Sequence, residues 1–301
     1  MKKNIKFSII MCAYNVEEYI ERAIDSVYKQ NYKNYELIIV NDGSTDKTLQ
    51  KVRQAKKKYK MNNIFIINNR KNIGLGGSRN IGVKKAIGEY ILYLDCDDTI
   101  YEDSTLDKID EITIKESPDI IYMGVQYVGG SNKSYIPNSE NSTKEARLAC
   151  DMHFAVSSKC FRREFLIKND IKFLTDIYYE DMVYSIKSTI LAQKISYGTF
   201  IFYNYYRNRD GSIMSTPSIK RCTDMYKIMG YIMELYDITP YEYKPYLMSF
   251  IRNETRNTVE KIDIILNSIE NGALLQTMPK RNYKLDFGRL NGIQGEMKHA
   301  N

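Results

Sequence analysis

Short apolar runs alternate with amphipathic segments over the first hundred residues of the chain. The apolar run at 7–13 has the length of a strand, and residues 16–28 then carry apolar side chains at every third or fourth position, which predicts a helix with one buried face. Asn15-Val16-Glu17-Glu18 has the form of a capping box, so we expect this helix to begin near residue 16. Further strands are predicted at 35–40, 63–68 and 90–94, with helices at 45–59 and 78–87. Such alternation is typical of an α/β fold with an open, mainly parallel sheet that helices cover on both faces.

The pattern is less regular after residue 98, but it still predicts several elements. They are helices at 106–115, 144–152 and 180–192, strands at 120–128 and 195–205, and a polar loop at 131–143. From residue 218 the spacing becomes helical again, at 218–236 and 241–270, before a polar tail. We therefore predict a main domain at 1–217 and a helical C-terminal extension at 218–301.

The composition is that of a globular protein, and it excludes several classes of function. Forty-four Lys and Arg against 37 Asp and Glu give a net charge of +7, which suits an acidic ligand or an anionic surface but is too small for a typical nucleic-acid-binding protein. We expect no nucleic-acid partner. His153 and His299 are the only histidines, so acid–base chemistry is expected to rest on carboxylates.

The cysteines and the apolar runs indicate where the protein works. Five cysteines without a C-x-x-C pair argue against a disulfide framework and a zinc ribbon, and they fit a reducing cytoplasm. The N-terminal apolar run is too short for a signal peptide, and no stretch approaches 18 apolar residues. The sequence therefore predicts a cytoplasmic protein that is soluble or peripheral to a membrane.

Polar side chains follow each of the first four predicted strands. They are Tyr14 and Asn15 after the first, Asn41 and Asp42 after the second, residues 69–79 after the third, and Asp95-Cys96-Asp97-Asp98 after the fourth. Because ligands bind at the carboxyl ends of the strands in open parallel sheets, we expect these groups to line one cleft.

Glycines are missing where a dinucleotide-binding fold needs them. Such a fold places G-x-G-x-x-G after its first strand, where this chain has Cys12-Ala13-Tyr14-Asn15, so NAD is not expected. The glycine-rich segment at 74–79 follows the third strand and lacks the Lys-Ser/Thr pair of a P-loop. We interpret it as a loop without a nucleotide motif of its own.

Four segments in this order and spacing resemble one enzyme family. The segments are 8–15 (SIIMCAYN), 36–46 (ELIIVNDGSTD), 72–82 (N-x-GLGGSRN-x-G) and 88–98 (GEYILYLDCDD). Together they closely resemble family 2 of the inverting glycosyltransferases, which adopt the GT-A fold. The resemblance is strong over 6–130, weaker through 159–163, 179–181 and 205–207 with Ser212, and absent after about 218. Cys12 stands where many members of the family have proline, and Cys96 fills a variable position of the D-x-D motif.

This resemblance implies roles for the residues at the nucleotide. Tyr14 would lie beside a uracil ring, and Asp42 would accept a hydrogen bond from N3–H of the base. Asp95 would face the ribose. Arg79 would contact the nucleotide, and Arg207 would contact a phosphate.

The resemblance also implies a metal ligand and a base. Asp97 would bind Mg²⁺ or Mn²⁺, and the cation would bridge the diphosphate of the donor, which agrees with the preference of hard cations for carboxylate and phosphate oxygens. Asp181 would be the general base that deprotonates the acceptor hydroxyl. Its neighbour Glu180 would bind the acceptor or support the start of the helix.

The function implied is the metal-dependent, inverting transfer of a sugar from a nucleotide-diphosphate sugar, expected to be a UDP-sugar, to a hydroxyl of a glycan or lipid-linked acceptor. Such enzymes build bacterial cell-surface polysaccharides in the cytoplasm or at the inner face of the membrane. Residues 1–125 would then be the nucleotide-binding half of the catalytic domain and 126–217 the acceptor half. The extension at 218–301 is expected to dock on this domain, with a homodimer or peripheral attachment to a membrane as further roles.

Two other classes of function remain open on the sequence. Residues 91–99 also resemble the first motif of haloacid-dehalogenase-type phosphatases, in which Asp95 would be a nucleophile, Asp97 its acid–base partner and Mg²⁺ the cofactor. A glycan- or nucleotide-binding module without catalysis is the third class. Individual residues also have simpler interpretations: a turn for Asp42, packing for Tyr14 and a solvated charge for Arg79.

Overall fold

The computed structural model describes residues 5–129, 133–137, 154–207 and 219–270, with side chains of the last helix described to residue 263. The first ninety residues form strands alternating with helices. These elements are β1 (Phe7–Ala13), α1 (Ile20–Tyr28), β2 (Tyr35–Asn41), α2 (Thr48–Lys58), β3 (Ile64–Asn68), α3 (Gly74–Lys85) and β4 (Tyr90–Tyr93). The prediction of strand and helix in alternation is confirmed.

The remaining elements mix strands and helices less regularly. They are β5 (Thr99–Ile100), α4 (Thr105–Glu116), β6 (Ile120–Val128), β7 (Ser134–Tyr135), β8 (Lys159–Arg162), α5 (Arg163–Lys168), α6 (Glu180–Leu191), β9 (Ile195–Tyr206), α7 (Ile219–Glu234) and α8 (Lys244–Glu270). Short 3₁₀ turns lie at Val156–Ser158 and Tyr241–Tyr243. The predicted helix at 144–152, His153, Ser212 and the tail lie outside the described residues.

The nine strands of the described residues form a single sheet in the order β3-β2-β1-β4-β8-β6-β9-β5, with β7 paired to β6. Strands β3, β2, β1 and β4 are mutually parallel, and β6 is parallel to β9. Strand β8 runs antiparallel to both of its neighbours, β4 and β6, and β5 runs antiparallel to β9. The sheet is therefore mixed, and its run of four parallel strands is the half that carries the first four polar strand ends.

Apolar side chains alternate between the two faces of the sheet, and each face has its own cluster. Ile9 and Met11 of β1 pack in one cluster with α1 and α2, whereas Ile10 packs in the other with side chains of α5 and α6. A strand that is buried on both faces needs an almost continuous apolar sequence, which explains the run at 7–13. The predicted helices on both faces are confirmed.

Helix α6 joins the sheet to the C-terminal helices. Its Tyr184 belongs to a sheet cluster, while Met182, Val183, Ile186 and Ile190 pack in a third cluster with side chains of α7 and α8. The predicted helical C-terminal region is present. Over the described residues, no helix combines the length and the hydropathy that crossing a membrane requires.

Helix α1 begins at residue 20, so the predicted start near residue 16 is wrong. Asn15 has a left-handed backbone (φ 51°), and its side-chain oxygen accepts a hydrogen bond from the amide of Thr45 at 2.9 Å. The Glu17 carboxylate accepts from the amide of Lys47 at 2.7 Å. The segment thus bonds to the loop that precedes α2 instead of capping its own helix, a tertiary contact that a capping-box pattern does not reveal.

Helix α3 begins at Gly74, four residues before its predicted start, so the glycine-rich segment is the first turn of a helix. Glycine is needed there because α3 lies against a neighbouring loop: a Cβ on Gly76 would stand 2.0 Å from the carbonyl oxygen of Leu174. The glycines therefore let α3 approach the segment that leads to α6.

Gly76→Ala is expected to destabilise the fold by about 3 kcal/mol, because the methyl group overlaps backbone that has little room to move. Gly230→Ala in α7 is the matched control. No atom comes within 4 Å of the added methyl at Gly230, so the loss of glycine's backbone freedom should stabilise the chain by about 0.5–1 kcal/mol. Urea unfolding of both variants measures the difference, and equal stabilities would contradict the close contact at Gly76.

Candidate active site

The polar strand ends named above meet at one edge of the sheet. Ala13 of β1 pairs with Asn41 of β2, and the backbone amide of Asp42 donates to the carbonyl of Ala13 at 2.8 Å. Asp95 follows β4, the other neighbour of β1. The start of α6 reaches this edge through Glu180. The structure therefore bonds Glu180 to Arg79, a side chain 101 residues earlier in the sequence.

Arg79 links the end of β4 to the start of α6. Its guanidinium donates to Asp95 Oδ1 at 3.0 Å and to Glu180 Oε1 at 2.8 Å, and it lies over the ring of Phe173. Burial by itself lowers the pKa of Arg79, but Asp95 and Glu180 outweigh burial and raise it above its ordinary value. Arg79 is thus a permanently charged, buried link between two carboxylates, and not a solvated surface charge.

Asp95 is held from both sides. Its Oδ1 accepts from Arg79, and its Oδ2 accepts from the hydroxyl of Ser157 at 3.0 Å. Ser157 lies in the 3₁₀ turn before β8 and was not a candidate on the sequence. No spacing pattern connects it to Asp95, because the two residues meet only through the pairing of β4 with β8.

Asp42 is buried and bonds across the fold. Its Oδ1 accepts from the side-chain amide of Asn69 at 2.8 Å and from the backbone amide of Ile73 at 3.0 Å. Its contacts therefore go to the loop between β3 and α3, which is not what a simple turn-former would show. Asn69 begins the polar segment 69–79 that was expected at the cleft, but it was assigned no role of its own on the sequence.

Tyr14 and Arg207 are the exposed members of the predicted set. Tyr14 is 48% exposed at the end of β1, so it is not a core packing residue. The guanidinium of Arg207 lies 3.9 Å from the centre of the Tyr127 ring. The preceding amide, of Tyr206, donates to Asp98 Oδ1 at 3.0 Å, which places Arg207 beside the acidic segment after β4.

Side chains from distant elements fix the conformation of the segment 95–98. Arg22 of α1 donates to the carbonyl oxygen of Asp97 at 2.7 Å and lies over the ring of Tyr206 at 3.7 Å. The Cys96 thiol donates to the carbonyl of Cys12 at 3.1 Å. Arg22 was also missed on the sequence, since it is one of many charges on an amphipathic helix.

The donor chemistry at this segment fits a hard divalent cation. Asp97 is almost fully buried, next to Asp95, and carboxylate oxygens are the ligands that Mg²⁺ and Mn²⁺ take. Among the described residues, no three His, Cys, Asp or Glu side chains converge into a metal-binding group. A cation here would therefore need oxygens from a bound phosphate group and water in addition to Asp97.

Asp181 lies in the first turn of α6 and is half-buried. Loss of water around the carboxyl group and the negative charge of Glu180 raise the pKa of Asp181 to about 7, against the opposing effects of Arg79 and Lys159. Lys159 is fully buried, and its ammonium donates to the carbonyl of Ala155 at 3.0 Å. A carboxylate with a pKa near neutrality has the proton affinity that a general base needs.

Side chains of helix α7 bond to Tyr178 and Tyr179, the two residues that precede Glu180 and Asp181. Asp224 is buried, and its Oδ2 accepts from the backbone amide of Tyr178 at 3.1 Å. Arg221 donates to the hydroxyl of Tyr179 at 3.0 Å, and Tyr179 has a left-handed backbone with φ 64°. A buried acid on the apolar stripe of α7 was the signal in the sequence that could have revealed this contact.

The family assignment rests on a match to most of the region just described. A model of glycosyl transferase family 2 matches residues 8–174, which is more than half of the chain and includes β1 to β8 with the segment 95–98. The chain belongs to glycosyl transferase family 2. Membership of this family also agrees with the mixed sheet described above, because the GT-A fold was the fold expected from the sequence.

Individual relatives of this glycosyl transferase family 2 chain are moderately similar. A cholesterol galactosyltransferase of Borreliella burgdorferi is 30% identical over 232 residues, which are 71% of this chain and 63% of the relative. A poly(ribitol-phosphate) beta-glucosyltransferase of Bacillus spizizenii is 34% identical over 223 residues, 71% of this chain and 34% of the relative. The chain spans only about a third to just under two thirds of the length of these curated relatives.

A solved structure shows the same fold. Residues 1–349 of Staphylococcus aureus TarS, crystallised in complex with UDP-GlcNAc, superpose with a TM-score of 0.67 at 25% identity, over 83% of this chain and 72% of that one. The GT-A type sheet of this family 2 chain therefore matches that of a solved relative.

The phosphatase hypothesis has no support in this family 2 chain. The contacts of Asp95 with Arg79 and Ser157 hold the carboxylate in place, and they are explained without a nucleophilic role. The family match also accounts for the residues upstream of Asp95, which a phosphatase motif leaves unexplained.

Proposed function

We propose that the chain transfers a sugar from a UDP-sugar to a hydroxyl group of a cell-surface polymer and inverts the anomeric carbon. The observation that carries this proposal is the half-buried Asp181, with its pKa near neutrality, next to the Arg79–Asp95 network at the edge of the sheet. A donor site and a base in one cleft are what a direct displacement requires.

The strand ends would bind the donor. Asp42, fixed by Asn69 and Ile73, would accept from the base, with Tyr14 against the ring. Asp95, oriented by Arg79 and Ser157, would accept from a ribose hydroxyl. A structure of the TarS relative in complex with UDP-GlcNAc supports a uridine donor.

Asp97 would hold Mg²⁺ or Mn²⁺ against the diphosphate, and the bound cation would neutralise negative charge that develops there. Arg207, at the end of β9, would add a positive charge beside the same phosphates. The hydrogen bond from Arg22 to the carbonyl of Asp97 would help to keep this loop in one conformation before the donor binds.

Asp181 would accept the proton of the acceptor hydroxyl. The acceptor oxygen then forms a bond to the anomeric carbon from the face opposite the nucleotide, and the bond from that carbon to the diphosphate oxygen breaks. The electron pair of the broken bond leaves with the nucleotide, and the proton remains on Asp181. A single displacement of this kind inverts the configuration of the carbon.

The acceptor is proposed to be a polymer of the bacterial cell surface. Curated relatives carry names that refer to poly(ribitol-phosphate) and to minor teichoic acid biosynthesis. We assign donor binding to 1–125, acceptor binding to 126–217 and a supporting role to 218–301, with work at the cytoplasmic face of the membrane. A homodimer through the C-terminal helices belongs to the same proposal.

A donor screen tests the function. The purified chain, supplied with Mn²⁺ or Mg²⁺ and an acceptor polymer, is expected to release nucleotide from one UDP-sugar and to lose this activity in EDTA. Aryl phosphate is the comparison substrate, because metal-dependent hydrolysis with phosphate trapped on Asp95 would replace the transferase proposal with the phosphatase one.

A further inference from the structure

One segment carries a net positive charge as large as that of the whole chain. Residues 47–60 (KTLQKVRQAKKKYK) contain seven Lys and Arg and no Asp or Glu, whereas the net charge of the whole chain is +7. The rest of the chain is therefore electrically balanced, and its long-range attraction for anions comes mainly from α2 and its flanks.

Several of these cations face water without a partner. Lys51 pairs with Glu21 at 3.3 Å, and Lys56 donates to the carbonyl of Ile64 at 2.8 Å, so these two have structural contacts. The side chains of Arg53 and Lys57 are exposed and make no ion pair or hydrogen bond within the part of the chain that the structure describes. Charges held at a surface without counter-charges favour an anionic partner.

A groove runs along the same side of α2. It is shallow and open to solvent, and its lining residues all belong to α2: Leu49, Gln50, Arg53, Gln54 and Lys57. The two carboxamides can donate to and accept from hydroxyl groups, and the two cations can bind acidic groups. The groove thus combines the chemistry for a polyanion that also carries hydroxyls.

The helix connects this groove to the catalytic edge. Thr48, the first residue of α2, accepts from the amide of Val16 just beyond the end of β1, and Tyr14 lies two residues earlier. Eleven residues of helix extend about 16 Å from there. A linear polymer along α2 would therefore lead away from the cleft over several repeat units.

The residues around the groove argue against a membrane surface and against single-stranded RNA as the anionic partner. A membrane surface is bound by cations together with apolar side chains that insert, and Leu49 is the only large apolar residue of the groove and is itself half-buried. Single-stranded RNA is bound by open aromatic faces. The nearby rings of Tyr28 and Tyr59 stack on each other at 4.3 Å, with Lys58 over Tyr59. The faces that they turn to each other are therefore not open to a base.

We propose that the groove on α2 binds a linear, hydroxyl-rich glycan or polyol polymer with acidic groups, outside the catalytic cleft. The proposal deepens the proposed function, since it names the acceptor class as a polyanion. Binding to α2 needs neither donor nor transfer, so it can be measured when activity is absent.

The experiment measures binding of the full chain to a purified poly(alditol phosphate) as a function of salt. The variant Arg53→Gln/Lys57→Gln removes two charges, and we expect about tenfold weaker binding at low salt and a log–log salt slope smaller by about 1.5. Lys84→Gln/Lys85→Gln is the matched control, because these exposed lysines lie at the end of α3, which packs on the other face of the sheet. The control is expected to bind like the wild type.

Three outcomes would overturn the proposal. One is an equal loss of affinity in both double variants, which would indicate a general charge effect. Another is binding of single-stranded RNA of the same charge, or of phosphatidylglycerol vesicles, more tightly than the polymer and with the same dependence on Arg53 and Lys57. The third is equal binding of a neutral dextran of the same length. UDP affinity of each variant reports whether its catalytic domain is folded, and the donor screen tests the proposed function separately.

Discussion

Asp181→Asn is expected to lower the rate of sugar transfer by about 10²- to 10⁴-fold, the usual contribution of a positioned base, while UDP-sugar affinity stays close to that of the wild type. Asparagine keeps the shape of the side chain and removes its basicity. Because Asp42, Asp95 and Asp97 are unchanged, the donor site keeps its contacts. Single-turnover rates together with calorimetric UDP affinity separate the two effects.

The pH dependence gives this prediction a second measurement. The transfer rate of the wild type should fall about tenfold per pH unit below the pKa of Asp181, which is about 7, and level off above it. The raised pKa also affects stability, because the folded state disfavours the ionised group. Its contribution to stability is complete below the unfolded pKa of 3.8 and is lost as the pH rises through 7. Asp181→Asn should therefore be more stable than the wild type at pH 8 but not at pH 4.

Glu180→Gln is the control at the adjacent position. It weakens the ion pair with Arg79 and removes the negative charge that raises the pKa of Asp181, so the pH profile should move to lower pH while transfer persists. A dead Glu180→Gln beside a fully active Asp181→Asn would move the base by one residue. Activity in both would place the base elsewhere.

Asp97→Asn is expected to weaken metal-dependent UDP binding by about 100-fold, because a neutral amide is a much poorer ligand for a hard cation than a carboxylate. The same loss should follow when EDTA is added to the wild type. Titration of UDP with and without Mn²⁺ measures both effects, and EDTA should change little in the variant.

Asp103→Asn provides the matched control for this substitution. Asp103 is an exposed acid six residues further along the chain, and its replacement removes the same charge. UDP binding of this control should equal that of the wild type. The prediction for Asp97 fails if wild-type affinity for UDP is unchanged in EDTA, or if both variants lose affinity equally.

Much of the fold follows from local sequence. Buried parallel strands require continuous apolar runs, so β1, β2 and β4 were found at or within one residue of their ends. The antiparallel insertion of β8 between β4 and β6 was not predicted, because strand order depends on contacts far apart in sequence. The starts of α1 and α3 were misplaced for a similar reason: partners in other loops decide them.

The candidate site, like the fold, could be predicted only in part from the sequence. Residues at strand ends, such as Asp42 and Asp95, could be located because the sheet brings such positions together. Their roles remain predictions. The groups that orient them, including Ser157, Asn69 and Arg22, come from other elements and carry no motif of their own. The contacts of Arg79 with Asp95 and Glu180 needed the fold as well.

Helix α7 contacts the residues just before Glu180 and Asp181, so the proposed base is supported by a different part of the chain from the proposed donor site. The residues proposed to bind the donor follow strands of the central sheet, whereas Tyr178 and Tyr179, just before the proposed base, are held by Asp224 and Arg221 of the C-terminal region. Members of this family that exchanged their C-terminal helices would keep a nucleotide site but receive a new support for the base. Acceptor preference and catalytic rate would then evolve together, as one exchangeable module, while the proposed donor site stays the same.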